Sequence, residues 1–203
     1  MHRSMAILCV LLIAPAAALH AQEPRPPGAK VIEATAGNSV LQLRYLTPSP
    51  LNLSGTRSDL DYGFLLSEGR DIIGSAALMF HTNLHPIPRL TLEIGPQGYL
   101  ALLSGQQKTD VMAVALGADA RYEILSRWGF AAFGSGFYSP GVLTFGSAHN
   151  LYDFTAGGEI RFTPRLTGKA GYRWLKFTTV GEPDVRVQNE VFAGLNWKLP
   201  PRR

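Results

Sequence analysis

A strict two-residue alternation of apolar with small or charged residues constrains this chain more than any other feature. It is clearest from Met112 to Ile124, where Met, Val, Leu, Ala, Tyr and Ile occupy one set of positions and Asp119, Arg121 and Glu123 fall in the other. Successive side chains of a β-strand point to opposite faces, so this run predicts a strand with one apolar face and one charged face.

The same alternation recurs along the chain, and helical spacing persists nowhere. It predicts nine strands between Leu41 and Leu199, two of them, Asp71–Thr82 and Trp128–Tyr138, with less clean alternation. Bacterial single-chain barrels have an even number of strands. The number is therefore eight if the first hairpin is miscounted, or ten if Lys30–Ala36 pairs with Ser39–Leu46.

The first residues predict an export signal rather than part of the fold. Residues 1–21 combine the positive Arg3, a short apolar stretch and small residues at the exit, which is typical of a secretory signal peptide. Cleavage after Ala18 or after Ala21 fits the sequence. We assign residues 22–37 to a Pro-rich lead-in that can include a first short strand, and residues 38–203 to an outer-membrane β-barrel.

Composition excludes several kinds of site. The only cysteine, Cys9, lies in the signal segment, so the exported chain is expected to carry no disulfide, thiolate metal site or cysteine nucleophile. Loss of Arg3 leaves 18 basic against 15 acidic residues, a scattered and mild excess that does not suggest nucleic acid. No later apolar run reaches the roughly 20 residues of a membrane helix.

The apolar face is predicted to point outward into lipid. The chain has few lysines for the solvated edges of a soluble sheet, and it closes on an alternating segment, Phe192–Leu199, that resembles the terminal strand signal of outer-membrane barrels. Aromatic residues near strand ends suit an interfacial girdle: Tyr122, Phe162, Tyr172, Trp174 and Trp197. The alternative is a soluble periplasmic β-barrel that binds a small ligand, with the two faces reversed.

Extended phrases of the chain resemble the YfaZ-type outer-membrane proteins of Gram-negative bacteria. They include DLDYGFLLSEGRDIIGSAALMFHTNLHPIPRLTLEIGPQGYLALL, ALGADARYEIL, RLTGKAGYRWLKF and NEVFAGLNW, and they cover roughly residues 42–199. The resemblance implies an all-β fold, a transmembrane up-and-down antiparallel β-barrel, whose molecular activity is not established. It carries over no functional residue.

The charged face is expected to line the barrel interior. A barrel of eight strands is only wide enough for side chains to fill it, so opposite charges should pair and plug the lumen. With ten strands a selective narrow pore becomes more plausible. The predicted lumen-lining charge network consists of Arg44, Asp61, Glu93, Asp119, Arg121, Glu123, Glu159, Arg161, Lys169, Arg173, Glu190 and Lys198.

Two smaller groups of residues have side chains that could bind a metal or catalyse a reaction. We predict that neither group does so. His81 and His85 lie four residues apart, which on a strand spans roughly 13 Å, so we expect turn or interfacial histidines and no metal site. Ser147, His149 and Asp153 could form a nucleophile, a base and an orienting group, but no nucleophile motif surrounds them. We expect neither a catalytic site nor a cofactor.

These observations together predict an integral protein of the bacterial outer membrane, either a structural envelope component or a narrow pore with a charge-lined lumen. An outer-membrane barrel enzyme acting on lipid or lipopolysaccharide is the alternative from another class. The expected partners are outer-membrane lipid and lipopolysaccharide, with periplasmic chaperones and the barrel-insertion machinery during biogenesis.

Overall fold

The computed structural model describes residues 29–51, 56–82, 87, 89–104, 109–125, 129–179 and 184–200. The predicted signal peptide, residues 22–28 of the predicted lead-in and His85 lie outside these residues. No helix of the described part is long and apolar enough to cross a membrane.

Strands make up most of the described chain, with one short 3-10 turn at Gly141–Leu143. Eleven strands are described, as follows: β1 Val31–Ala36, β2 Val40–Pro48, β3 Ser58–Ser67, β4 Ile72–Thr82, β5 Leu90–Leu103, β6 Thr109–Leu125, β7 Phe130–Ser139, β8 Thr144–Gly146, β9 Ala148–Arg161, β10 Leu166–Thr179 and β11 Val185–Lys198.

Ten of these strands close into one antiparallel barrel. Each pairs with the next along the chain, except that β7 pairs with β9, and β1 pairs with β11 from Val31 opposite Lys198 to Ala36 opposite Ala193. The short β8 lies against β6 beyond the end of β7. The ten-strand prediction is confirmed: β1 pairs with β2, and the eight-strand alternative is wrong.

The apolar faces of the strands point outward and the charged faces inward. Leu116 is 62% exposed, whereas Arg173 is only 7% exposed. In the described strands, outward-facing charged residues occur only at Asp110, Lys176 and Arg186, all near one end of the barrel. The reversed orientation that the soluble alternative requires, with the leucines inside and the charges in solvent, is therefore not the one observed.

The barrel has two ends, which differ in the strand termini and connections found there. The terminal end is where β1 begins and β11 ends, together with the connections at 49–57, 83–89, 126–129 and 162–165. The loop end is the opposite one, with the connections at 37–39, 68–71, 104–108, 140–147 and 180–184. Gly129 adopts a positive φ of 62° in the third terminal-end turn, a conformation that glycine takes without strain.

The inward side chains change along the barrel axis, from apolar at the loop end to charged in the middle and at the terminal end. Alternation did not predict this change. In the loop-end half, most inward side chains are apolar and buried, with a few buried polar ones such as Ser139 and Gln188 among them. We call the apolar cluster the apolar plug, and its larger members are Leu65, Ile73, Leu103, Phe137, Leu151, Leu175 and Phe177. Pairs such as Ile72-Ile73 and Leu102-Leu103 place apolar residues on both faces there, so the inner face packs against itself. Charges are confined to the middle and the terminal-end half.

Candidate functional site

A cavity of about 90 Å³ lies inside the terminal-end half of the barrel. Side chains in its wall remain partly accessible to solvent, such as Arg44 at 24% and Arg121 at 23%. The side chains of Leu151, Leu175 and Phe177 in the apolar plug are fully buried. Solvent therefore reaches the cavity from the terminal end and is stopped by the plug.

Ion pairs cross between strands along the cavity wall. The Arg121 guanidinium on β6 donates to the carboxylates of Glu159 on β9 and of Glu123 two residues along β6, the latter at 3.0 Å. Arg44 on β2 donates to Asp61 on β3. Lys169 Nζ on β10 donates to Glu33 Oε1 on β1 at 2.9 Å. These contacts tie β1, β2, β3, β6, β9 and β10 into one inner surface.

Aromatic rings pack against Lys169 on the same inner face. Its Nζ lies 4.4 Å from the centroid of the Phe133 ring and 5.7 Å from that of Phe192. Glycines make room for these rings, because a Cβ on Gly157 would lie 2.7 Å from Phe133 and one on Gly171 would lie 3.1 Å from Phe192. The inward Phe192, unusual among residues of the charged face, is thus a cation–π partner.

A second layer separates the cavity from the apolar plug. Arg173 donates to Asp153 from Nε and Nη2, at 2.9 and 2.7 Å, and from Nη1 to Gln42 Oε1 at 2.7 Å. The Tyr99 hydroxyl donates to Asp153 Oδ2 across the lumen at 2.9 Å. The ordering along the barrel axis is therefore plug, then a hydrogen-bonded polar layer, then the cavity.

The cavity wall carries an excess of carboxylates. Six line it, against the permanent cations Arg44, Arg121 and Lys169. The six are Glu33, Asp59, Asp61, Glu93, Asp119 and Glu159. Because like charges in a partly enclosed space repel one another more strongly than in bulk water, this imbalance favours a cation inside the cavity.

Nine residues of the predicted charge network lie on the lumen wall of the barrel: Arg44, Asp61, Glu93, Asp119, Arg121, Glu123, Glu159, Lys169 and Arg173. The other three lie nearer its edges. Arg161 and Lys198 are the last residues of their strands at the terminal end. The Glu190 carboxylate accepts hydrogen bonds from the backbone N and the Oγ of Ser39, at 3.1 and 3.0 Å, beside the turn at 37–39.

Five inner residues were not part of the predicted network: Glu33, Asp59, His81, Tyr99 and Asp153. Alternation alone could have found Glu33, which lies between the inward Val31 and Thr35, and Asp59, which is two residues before Asp61. Alternation puts Asp153 on the same face as Glu159, but Asp153 was named as an orienting group for His149 and was left out of the predicted network. The long-range contact of Tyr99 with Asp153 has no signal in sequence.

His81 points into the lumen between two carboxylates. Its Nε2 lies 3.1 Å from Asp59 Oδ2 and its Nδ1 lies 3.4 Å from Glu93 Oε1. The β4–β5 pairing, which the sequence alone did not reveal, places His81 opposite Glu93. The expectation of a turn histidine is wrong for His81, because β4 continues through Thr82. Its position relative to a membrane interface stays a prediction.

The Ser147, His149 and Asp153 constellation is not assembled. Ser147 and His149 are exposed, and a register shift opposite Thr178 and Thr179 turns His149 away from the lumen. Asp153 lies inside the barrel, where Arg173 and Tyr99 occupy both of its oxygens. It therefore cannot orient the imidazole of His149.

The residues of the predicted girdle all lie on the outward face. Tyr122, Phe162 and Trp197 are exposed toward the terminal end. Tyr172 is nearer mid-strand, and Trp174, toward the loop end, stacks on Phe154 with ring centroids 5.7 Å apart. Their assignment to a membrane interface stays a prediction.

Comparisons with known proteins give a family match and a similar solved structure. A protein-family model described as "YfaZ precursor" matches residues 52–199. Among solved structures, a "Bacterial polysaccharide outer membrane secretin" matches at 11% identity with a TM-score of 0.46, over 83% of this chain and 58% of that one. The chain thus spans somewhat over half the length of that structure. No curated protein matches.

Proposed function

The chain belongs to the YfaZ family, and from that premise we propose that it is an integral outer-membrane β-barrel that serves as a closed, non-enzymatic structural component of the envelope. The outward faces support the membrane placement. They form a continuous apolar belt, and the charged residues on them, among those described, cluster at the loop end. An Arg or Lys at the bilayer midplane costs about 2–4 kcal/mol, so such a belt suits acyl chains.

The observation that carries the closed-barrel proposal is the apolar plug. Leu151, Leu175 and Phe177 are fully buried within a barrel whose opposite half holds solvent-accessible charges. Ions and polar solutes cannot cross a close-packed, mostly apolar layer of this kind without its rearrangement. The lumen therefore works as a chamber open at one end.

The terminal end faces the periplasm in this proposal. In outer-membrane barrels the periplasmic turns are short and the outer loops longer. The connections at 126–129 and 162–165 are short, at four residues each, and the loop-end connection at 140–147 carries the 3-10 turn and β8. The terminal-end connections at 49–57 and 83–89, of nine and seven residues, depart from the rule, so only the second half of the barrel supports this placement.

Lipid and lipopolysaccharide would then contact the outward belt, and periplasmic chaperones and the insertion machinery would handle the unfolded chain. The pattern of the last strand supports a role for the insertion machinery. Val191, Leu195 and Trp197 of β11 face outward in alternation, with Gly194 between them on the inner face, which is the pattern of a terminal barrel strand.

A narrow pore is the second candidate, and the charge-lined cavity favours it. A pore requires the apolar plug to move, because charged side chains line only part of the lumen and the plug fills the rest. An enzyme acting on lipid is disfavoured, because the Asp153 carboxylate is held by Arg173 and Tyr99 and is remote from Ser147 and His149.

The test is conductance across planar lipid bilayers. Heat-modifiable migration on gels first identifies folded protein, because a folded barrel runs differently from the denatured chain. Folded protein in the bilayer should give no discrete current steps. The double substitution Leu175→Ala with Phe177→Ala should produce such steps, because it removes two large side chains of the plug. Discrete steps from the unsubstituted protein would overturn the closed barrel and favour the pore.

A further inference from the structure

Asp59, His81 and Glu93 form a compact group beside the lumenal cavity, whose wall includes Asp59 and Glu93. One ring nitrogen of His81 and one oxygen of each carboxylate lie within 4.8 Å of one another. The three residues come from β3, β4 and β5, which are consecutive neighbours in the barrel. The closed sheet, rather than a loop, therefore holds these three side chains together.

The separations suit a small divalent cation. Ligand atoms at about 2.1 Å from a tetrahedral zinc ion are roughly 3.4 Å apart. The ligand atoms of the three residues, one from each, already lie within 4.8 Å of one another. The two short contacts involve different ring nitrogens, Nε2 at 3.1 Å from Asp59 Oδ2 and Nδ1 at 3.4 Å from Glu93 Oε1. Because one nitrogen ligates one ion, the imidazole or a carboxylate has to rotate for all three groups to bind it.

A neighbouring carboxylate gives an independent reason for a cation there. Asp119 on β6 lines the same cavity and stands directly opposite Glu93 in the β5–β6 pairing. Like charges directly opposite one another on adjacent strands are destabilising. The positive charges of Arg44 and Lys169 offset this repulsion in part, and the carboxylate of Asp61 adds to it. A cation held by Glu93 would relieve this repulsion.

The donor set points to the class of metal. Calcium and magnesium select all-oxygen sites, whereas an imidazole with two carboxylates suits zinc and similar first-row ions. Three protein ligands leave a further coordination position, which opens into the cavity. The carboxylate excess of the wall adds long-range attraction for a doubly charged ion.

We propose that Asp59, His81 and Glu93 bind a divalent transition metal, with zinc as the representative ion, inside the end of the lumen that solvent enters. His81 supplies one nitrogen and the carboxylates supply one oxygen each. Asp119 lies close enough to Glu93 to balance the charge of the ion. This proposal goes beyond the closed-barrel function and does not depend on it, because the site needs only the folded barrel.

Zinc titration of the folded, full-length protein in detergent tests the proposal. One zinc ion per barrel should bind, and His81→Gln and Asp59→Asn should each weaken the affinity at least tenfold. His149→Gln is the matched control, because His149 is an exposed histidine outside the lumen, and it should leave binding unchanged. Calcium should compete at least tenfold more weakly than zinc.

A second measurement needs no substitution and stands even if a variant fails to fold. Diethyl pyrocarbonate modifies accessible imidazoles, and mass spectrometry locates the modified histidine. Zinc should protect His81 at least fivefold and leave His149 reactive. Absence of stoichiometric zinc binding, unchanged affinity in His81→Gln, or equal modification of His81 with and without zinc would each overturn the proposal, whatever the bilayer currents show.

Discussion

The Arg173 guanidinium on β10 and the Asp153 carboxylate on β9 form a two-point hydrogen bond inside the barrel, at 2.9 Å from Nε and 2.7 Å from Nη2. Both side chains are almost fully buried. Tyr99 from β5 and Gln42 from β2 complete the group, so one ion pair links four strands. It lies where the apolar plug gives way to the charged cavity.

Removing one partner of this pair should be strongly destabilising. Arg173→Met leaves the Asp153 carboxylate buried without its counter-ion, which typically costs about 3–5 kcal/mol. Urea unfolding of the protein folded in lipid vesicles measures the loss. The double substitution Arg173→Met with Asp153→Leu should recover much of it, since no uncompensated charge remains, and Arg161→Met at the terminal end should cost far less. Equal losses for Arg173→Met and Arg161→Met would contradict this account of the pair.

Phe177→Ala should lower the free energy of unfolding as much as the same substitution does in the core of a soluble protein. The Phe177 side chain is fully buried in the apolar plug, and Phe→Ala substitutions at such sites cost about 3–5 kcal/mol. The same urea titration measures the effect. Val142→Ala, at a highly exposed position of the loop end, is the control and should change the free energy of unfolding by less than about 0.5 kcal/mol. A small effect of Phe177→Ala would mean that the loop-end interior is loosely packed.

A charge on the outward face should cost most near the middle of the belt. Leu116→Arg places a guanidinium on the mid-strand apolar face of β6 and should reduce the free energy of unfolding in lipid by about 2–4 kcal/mol. Leu102→Arg, opposite Asp110 near the loop end, should cost about 0–1 kcal/mol because that end lies nearer the interface. Both are exposed leucines, so they form a matched pair. Equal costs, or no cost in lipid vesicles, would argue against the membrane placement.

The loop end also carries a pH-dependent contact. Lys176 Nζ donates to Asp184 Oδ2 at 2.6 Å, and this hydrogen bond holds the pKa of the Asp184 carboxyl below its ordinary value. A carboxyl with a lowered pKa in the folded state adds stability above its unfolded pKa and loses it as pH falls through the folded value. An NMR titration of the carboxyl should give a low pKa that rises toward the ordinary value in Lys176→Met. Because Asp184 is solvent-exposed, the change in stability should be small. An unchanged pKa in Lys176→Met would disprove the contact.

Local alternation determined much of this protein, because side-chain direction in a strand depends only on neighbouring residues. It assigned Met112–Ile124 its two faces and placed Arg121 and Glu159 inside the barrel. It left the strand number at eight or ten, since nothing within Lys30–Ala36 reveals that Val31–Ala36 closes the barrel against the last strand. That pairing depends on residues more than 150 positions away.

Only the tertiary structure decided which inward residues meet. The stagger of ten tilted strands sets the height of each side chain along the barrel axis. It packs Leu151, Leu175 and Phe177 together and brings Tyr99, Asp153 and Arg173 into one hydrogen-bonded group. The same stagger brings Asp59, His81 and Glu93 together from three strands. The sequence thus determined which way each side chain points, and the closure and stagger of the sheet decided its neighbours, because heights depend on the pairing of every strand around the ring.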